Sequence, residues 1–506
     1  MKQRGSLQME NESNNEKRKK GIKPWIYGTS LLVVAALSIG GTVAVTNADE
    51  NTNEEQAQNQ VNSSEASVAV DSEDFEKIQT VYDTLMSDYY QGVESETLIE
   101  GAITGMTESV GDPYTQYLNV EESSSLNESI SASFEGIGAE VMKQGDNVMI
   151  VSPIAGSPAE KAGLQPNDII VKVDEQELSG MSLNEAVSYI RGEKGSEVVL
   201  TIKRGETTFE VTLVRDTIPV ETVLYQLDKE NPTIGSITIT SFSSPTYEDL
   251  VMAIEDLREQ GATSFVFDVR QNPGGLLNAG LSISNLFLEN GDIILQTQEK
   301  DQAPVSIVAD DKTMGSFKVT EPSVLLVDEG SASASEILAG AVSESGNVKL
   351  IGTKTFGKGT VQNVATFDDS SELKLTIAKW LTPSGEWIHE KGITPDIEVS
   401  LPEYANLLLI DSSKTYQLGD VSAEVENLEK VLDALGYSVE DTDGYFDEST
   451  QEAVKEFQTD TKLTVDGKVT GETSTQLVES LRKLIDENDT QYEAAIKELQ
   501  SSKSND

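Results

Sequence analysis

The chain has 506 residues, 37 of them Lys or Arg and 87 Asp or Glu, for a formal net charge of -50. Such an excess of carboxylates repels phosphate backbones and anionic lipid surfaces, so no nucleic-acid partner is expected, and the length implies several compact units joined by linkers. The absence of cysteine and the single histidine, His389, exclude thiol nucleophiles, disulfides and Cys/His zinc sites, and any Ser/His/Asp triad would have to use His389, or else the general base is of another kind.

Residues 1–24 read as a cytoplasmic basic tail, with Lys17, Arg18, Lys19, Lys20 and Lys23 close to its end. Residues 25–48 carry no charge and are long enough for a transmembrane signal-anchor, with the bulk of the chain exported by the positive-inside rule. A cleaved signal peptide, cut near Thr46 and Ala48, is the competing reading. Residues 49–72 are an acidic linker rich in Asn, Gln and Ser. In the helical region 73–122, Ile78, Val81, Tyr82, Leu85 and Met86 mark one helix and Leu98, Ile99, Ala102, Ile103 and Met106 a second, stopped by Gly111, Asp112 and Pro113.

Residues 123–216 suit a compact sheet-and-helix module. Alternating strands are predicted at 148–151, 169–173 and 198–202, with helices starting near Ser157 and Ser182. In its "EGIGAE" stretch Gly136 and Gly138 allow a tight turn whose amides can hold a carboxylate beside an open sheet edge; an ordinary turn is the plainer reading. Residues 217–405 alternate strand and helix, which argues for an α/β core with ligands at the strand ends. "ELKLTIAKWLTPSGEWI" predicts two strands around Pro383 and Gly385, with His389 a surface residue of the hairpin. After a linker at 406–415, residues 416–484 are helical with two Asp-Gly turns, and 485–506 read as a charged tail, a solvated helix or disorder.

Three stretches carry chemistry. In "VLLVDEGSASASEIL" a strand, a turn and a helix start place Ser331, Ser333 and Ser335 near the positive end of a helix dipole, where an oxyanion is stabilised. Ser333 and Glu336 also match a capping box, so the serine equally serves as a helix cap. In "TKTFGKGTVQ" Lys358 lies between two glycines with Phe356 and Val361 close by, a setting able to lower an amine from about 10.4 by desolvation, with Gln362 placed to orient it. A flexible surface loop is the alternative. In "FDVRQNPGGLLN" the glycine amides after a buried strand can face the same crevice.

Taken together, "GDPYTQYL", "EGIGAEV", "DVRQNPGG", "GSASASEILAGA", "TFGKGTVQ" and "GITPDI", in that order from about residue 75 to 402, resemble the C-terminal processing (tail-specific) serine proteases. The resemblance implies a multidomain α/β chain: an N-terminal membrane helix, a small helical unit, a PDZ-like peptide-binding module and a serine protease core of crotonase/Clp-like ββα units. It implies Ser333 as nucleophile, Lys358 as general base and Gln362 as its orienting partner. The oxyanion hole would use the amides of Ala334, Gly274 and Gly275. Gly136, Ile137, Gly138 and Ala139 would take a substrate C-terminus, and Arg191 in "YIRGEKG" would couple that module to the protease. Ser331 and Ser335 would shape or cap the turn. Residues 416–484, with "LGY", "DGYFDEST", "AVKEFQ" and "VDG", resemble a three-helix peptidoglycan-binding domain, departing from its pattern at Asp447.

The expected protein is thus a serine endopeptidase at the cell membrane, facing the wall, without metal or cofactor, acting on proteins with exposed C-termini. Peptidoglycan is an expected partner, and family analogy implies a homodimer or larger oligomer. Its rivals are a catalytically inactive wall-bound peptide-binding scaffold and a protein whose main task is wall attachment.

Overall fold

The computed structural model describes residues 72–503. The expected basic tail, membrane segment and nearly all of the acidic linker lie outside the described residues, and among the described residues no helix is long and apolar enough to cross a membrane. The chain divides into two compact units between Thr80 and Val81. The first is described only over the opening of helix α1 (Ser72–Asp88).

In the second unit α1 is followed by α2 (Ser95–Glu108), and Tyr82 Oη meets Ser95 Oγ at 2.7 Å between them. Both helices have the expected 3–4 spacing of apolar residues, yet α2 buries none of its side chains, and Leu85, Met86, Ile99 and Met106 remain exposed. The strand β1 (Gln116–Leu118) then pairs with the protease region, and α3 (Val120–Ser131) starts at a capping box between Asn119 and Glu122. The domain boundary expected after residue 122 therefore falls inside a helix; α3 is rich in serine and almost free of apolar periodicity, so its cap is its main signal.

Next come β2 (Ser133–Gly136), β3 (Ala139–Gln144), β4 (Asn147–Pro153), α4 (Pro158–Lys161), β5 (Ile169–Val173), β6 (Gln176–Glu177), α5 (Leu183–Ile190), β7 (Glu197–Arg204), β8 (Thr207–Val214) and β9 (Asp216–Pro219). The sheet order is β3-β4-β5-β7-β8, which leaves β3 as an open edge, and β2 pairs with β9 so that the module's entry and exit run side by side. Alternating residues Val148, Ile150, Val198, Leu200 and Ile202 fill its core. Ser157 and Ser182 cap α4 and α5 through the amides of Glu160 and Glu185.

The α/β core comprises β10 (Val223–Leu227), β11 (Ile234–Ile239), α6 (Thr246–Glu259), β12 (Ser264–Asp268), α7 (Leu277–Asn285), β13 (Ile293–Glu299), β14 (Val305–Val308), α8 (Asp311–Met314), β15 (Ser323–Val327), α9 (Ala334–Glu344), β16 (Lys349–Gly352), β17 (Thr360–Thr366), β18 (Glu372–Leu381) and β19 (Ile397–Glu398). Strands β10-β11-β12-β15-β16-β19 form one sheet, parallel except for β10. Its central strands are apolar on both faces because both are covered. Helices α6, α7 and α9 pack on one face around Phe242, Phe265 and Phe267. A second sheet, β1-β18-β13-β14 with β17 beside β18, packs against the other side of α9 through Leu295, Ile337 and Trp380. The hairpin here is β17–β18. Beyond Pro383 the chain turns, with Thr382 N–H on Glu386 O at 2.9 Å, but forms no returning strand, which corrects the expectation of two strands around Pro383 and Gly385.

A short 3-10 turn (Glu403–Asn406) leads to α10 (Ala423–Ala434), α11 (Glu448–Asp460) and α12 (Glu472–Glu487), three helices around Leu428, Phe446, Phe457 and Leu477. The tail, expected as a solvated helix or disorder, is a helix, α13 (Thr490–Lys503), but one packed on the free face of the parallel sheet. Ala495 and Leu499 are buried there against Ile234, Val266, Val324, Leu326 and Ile351. Tyr492, Ala495, Ile496 and Leu499 share one helical face, a stripe that the surrounding charges hide in the sequence.

Candidate active site

The strand β15 runs into a turn that ends at Ser333, the residue before α9. Ser333 has φ 55° and ψ -112°, a conformation a side chain adopts only when its surroundings impose it. The buried hydroxyl of Ser331 donates to Val269 O at 2.8 Å and accepts from Asp328 N–H at 3.0 Å. That of Ser335, also buried, donates to Asn272 O at 2.9 Å. Two of the three serines are thereby committed to holding the turn against the 269–275 loop, and Ser333, half-buried, is the one at the mouth of the crevice.

Glu336 joins this turn to the lysine loop. Fully buried, it accepts Thr355 Oγ1 (2.6 Å) and Gly357 N–H (2.7 Å) on Oε1, and Lys358 N–H (2.8 Å) and Ser333 N–H (3.0 Å) on Oε2. The capping-box relation of Ser333 and Glu336 is therefore present, but its carboxylate also anchors a loop more than a helical turn away in sequence. Gly357 and Gly359 let that loop pack tightly: a Cβ on either would sit 2.8 Å from the backbone nitrogen of Gly392 or His389. Trp380 and Trp387 donate their indole N–H groups to the carbonyls of Lys358 and Gly359. His389 stacks on Trp387 and faces Gly359 N–H with Nδ1, so it buttresses the lysine loop and is not the surface hairpin residue expected.

The Lys358 amine is held below the usual lysine range, chiefly by burial and then by repulsion from Lys374, with Asp112 and Glu336 pulling the other way. Its Nζ lies 4.8 Å from the centre of the Tyr114 ring, and among the described residues it makes no hydrogen bond with Ser333 or Gln362. Gln362 donates its amide to Thr360 Oγ1 (2.9 Å) and Thr376 Oγ1 (3.2 Å). Lys354, the other lysine of the loop, is exposed.

Across the crevice the 269–275 loop closes on the serine turn. A Cβ on Gly274 would stand 2.7 Å from Ala332 O, and one on Gly275 2.2 Å from Phe242 O, so both positions demand glycine. The Gly274 N–H is engaged by Asn272 Oδ1 at 2.8 Å. The amides of Gly275 and Ala334 donate to nothing among the described residues.

In the sheet-and-helix module, Gly138 (φ 72°) leaves no room for a side chain, its Cβ position being 2.4 Å from that of Ser157. The carbonyls of Ile137 and Gly138 are used by Ala159 N–H, Ile154 N–H and Ser157 Oγ. Ala139 begins the open-edged strand β3, and Gly136 ends β2. Arg191, expected to couple this module to the protease, pairs with Glu128 of α3 at 2.8 Å and lies 4.8 Å above the Phe134 ring.

Comparison with known proteins bears on all of this. The chain is 47% identical to the carboxy-terminal processing protease CtpA of Bacillus subtilis over 84% of its own length and 90% of that protein. This chain belongs to peptidase family S41, the C-terminal processing serine proteases. The S41 pattern matches residues 233–399, a PDZ domain pattern 149–204, the activating protease CtpB N-terminal domain 32–122 and a putative peptidoglycan binding domain 421–477. A probable CtpA-like serine protease of Staphylococcus epidermidis is 37% identical over 94% of each chain. The solved photosystem II D1 C-terminal processing protease is 28% identical, covering 65% of this chain and 93% of its own, with a TM-score of 0.38.

The structure packs Gly274 against Ala332, Ser333 and Ala334 and ties the Lys358 backbone to that of Ser333 through Glu336, while Gln362 faces threonines. Several residues of this site lie outside the sequence-derived set. Glu336 was visible only as a cap, and Tyr114 only inside a quoted motif. Arg215 caps the C-terminal end of α5 by donating to Tyr189 O and Ile190 O, and no local pattern marks it.

Proposed function

We propose that this S41 peptidase is a membrane-anchored, exported endopeptidase that captures protein C-termini on its PDZ domain and cleaves by Ser-Lys acyl transfer. The observation carrying the chemistry is the half-buried Lys358 amine, its pKa lowered by desolvation, on a loop tied through Glu336 to the Ser333 turn. Neutral Lys358 takes the Ser333 Oγ proton as the oxygen attacks the scissile carbonyl. The amides of Ala334 and Gly275 receive the oxyanion, Gly274 acting by its close approach because its own N–H is already engaged. The ammonium then protonates the departing amine, and a water deprotonated by Lys358 hydrolyses the acyl-serine. For this, Nζ leaves the Tyr114 ring and turns to Ser333, with the Gln362 carbonyl oxygen as its second partner.

The open edge of β3 beside α5 offers an extended tail a strand to join, and the Gly136–Ala139 turn offers amides for its carboxylate. The uncharged run at 25–48 supports anchoring, the family match at 421–477 supports peptidoglycan binding, and the uncovered apolar residues of α2 support pairing with a second copy. The inactive-scaffold reading is not favoured, since nucleophile, amine and free amides are all present.

The test is cleavage of an unfolded protein ending in apolar residues, read by mass spectrometry. Wild type should yield fragments and Ser333→Ala none. Equal cleavage by Lys358→Ala and wild type would remove the lysine from its role.

A further inference from the structure

The loop that presents Gly275 is held from a distance by α13, which lies beyond the three-helix domain in the chain. Arg270, whose side chain is only 15% exposed, is the contact. Its Nε and Nη2 donate to Asp268 within the loop's own strand (3.0 and 2.7 Å), Nη2 and Nη1 donate to the two oxygens of Asp489 (2.7 and 3.0 Å), and Nη1 donates to Gln491 Oε1 (2.9 Å). The fork of the guanidinium is thus shared between β12 and the start of α13.

Arg270 leads directly into the catalytic loop. Gln271, with φ 56°, spans Asp328 of the serine turn with its N–H (2.8 Å) and Nε2 (2.7 Å). Asn272 is buried, holds Ile239 O and the Gly274 N–H with its side chain, and receives Ala332 N–H and Ser335 Oγ on its carbonyl. Nothing between Arg270 and Gly275 is slack, so a shift of Arg270 moves the Gly275 amide. The end of the helix that supplies Asp489 is itself fixed, Thr490 Oγ1 donating to Ser400 O and Gln491 Nε2 to Val399 O, whereas the Lys349–Glu498 pair at 2.7 Å lies at its far end.

We infer that Asp489 and Gln491 are positioning residues for peptide cleavage, acting through Arg270 to set the Gly275 amide against Ser333. This rests on the assignment of Ser333 and Gly275 proposed above. A displacement of about 1 Å of a catalytic group costs on the order of 100-fold in rate, so partial release of Arg270 should register in turnover.

Asp489 also caps α13, accepting Tyr492 N–H at 2.9 Å, and the test must separate the two tasks. Asp489→Ser keeps a capping oxygen but is too short for Arg270. Asp489→Asn keeps the cap and one acceptor. Lys349→Ala loosens the same helix at its other end. In the full chain held in detergent, kcat, KM and the rate of Ser333 labelling by a fluorophosphonate are measured for each. Asp489→Ser should lose about tenfold or more in kcat and in labelling rate with KM within about twofold, Asp489→Asn should fall between it and wild type, and Lys349→Ala should match wild type. Wild-type rates for Asp489→Ser, or an equal loss in Lys349→Ala, would overturn the inference alone. Labelling of the wild type at a serine other than Ser333 would overturn the site assignment and the inference with it.

Discussion

The backbone amides of Ser333 and Lys358 donate to the same atom, Oε2 of Glu336, at 3.0 and 2.8 Å. Ser333 and Lys358 sit on different loops, and one buried oxygen ties the two backbones together. Glu336→Gln would turn an NH2 group either toward the N–H groups of Ser333 and Lys358 or toward the N–H of Gly357 and leave them unmet, at about 1–3 kcal/mol for each buried donor. The expected result is a lower denaturant midpoint together with a fall in kcat, measured on the same preparation. A variant as active as wild type would show that the shared oxygen does not set the geometry.

Lys358 gives a signed pH dependence. Its folded-state pKa lies below the ordinary lysine value, so cleavage should rise with pH through that lowered pKa as the amine loses its proton. For stability the sign runs the same way: below the folded pKa the amine is charged in both states and the folded protein carries the whole penalty of burying it. That penalty is relieved as pH rises toward the unfolded value. Lys358→Met should therefore be inactive yet at least as stable as wild type at neutral pH, which a thermal melt beside the cleavage assay will check.

Gly275 cannot be replaced without displacing Phe242 O, which its Cβ would approach to 2.2 Å at φ 147°. Gly275→Ala should lower kcat by roughly the 100- to 1000-fold typical of losing one oxyanion donor. Near-UV circular dichroism is expected to show a retained fold, and unimpaired turnover would exclude the Gly275 amide from the oxyanion hole.

Arg191 and Glu128 are 44% and 33% exposed, so their pair should contribute no more than about 0–1 kcal/mol to stability. A change in cleavage without a change in melting would therefore mark the pair as a coupling element between the PDZ domain and α3. Arg191→Glu should alter kcat/KM for substrates with free C-termini, and Arg191→Glu with Glu128→Arg should restore it. A double-mutant cycle with no interaction term would end that role for Arg191.

The serine turn, the lysine loop and the glycine loop were readable because each combines an apolar strand with residue types that strands and helices do not otherwise tolerate. The choice among the three serines rested in the sequence on family resemblance alone; in the structure Ser331 and Ser335 are committed to backbone groups of the 269–275 loop. Glu336 was half legible, because a capping box is local whereas its bonds to Thr355, Gly357 and Lys358 depend on where a distant loop arrives. His389 was misplaced for the same reason: Tyr114 and the Gly359 amide that it faces are distant in sequence and reach it only in the fold. The stripe on α13 was present in the sequence, but the charged and polar residues scattered between its four apolar positions masked its period.

The position of α13 has a consequence for how the protease is made. Gln500 meets Asn231 and Tyr492 meets Asp228 across 269 and 264 positions of chain, with the whole three-helix domain synthesised in between. Until those helices have emerged, Val266, Leu326 and Ile351 form an open apolar sheet face, the kind of surface that recruits chaperones or sticks to its neighbours. A nascent or truncated chain can thus hold every catalytic residue and still lack the cover that completes the sheet. The parallel sheet is thereby left without its cover until the three-helix domain and the helix beyond it have been built.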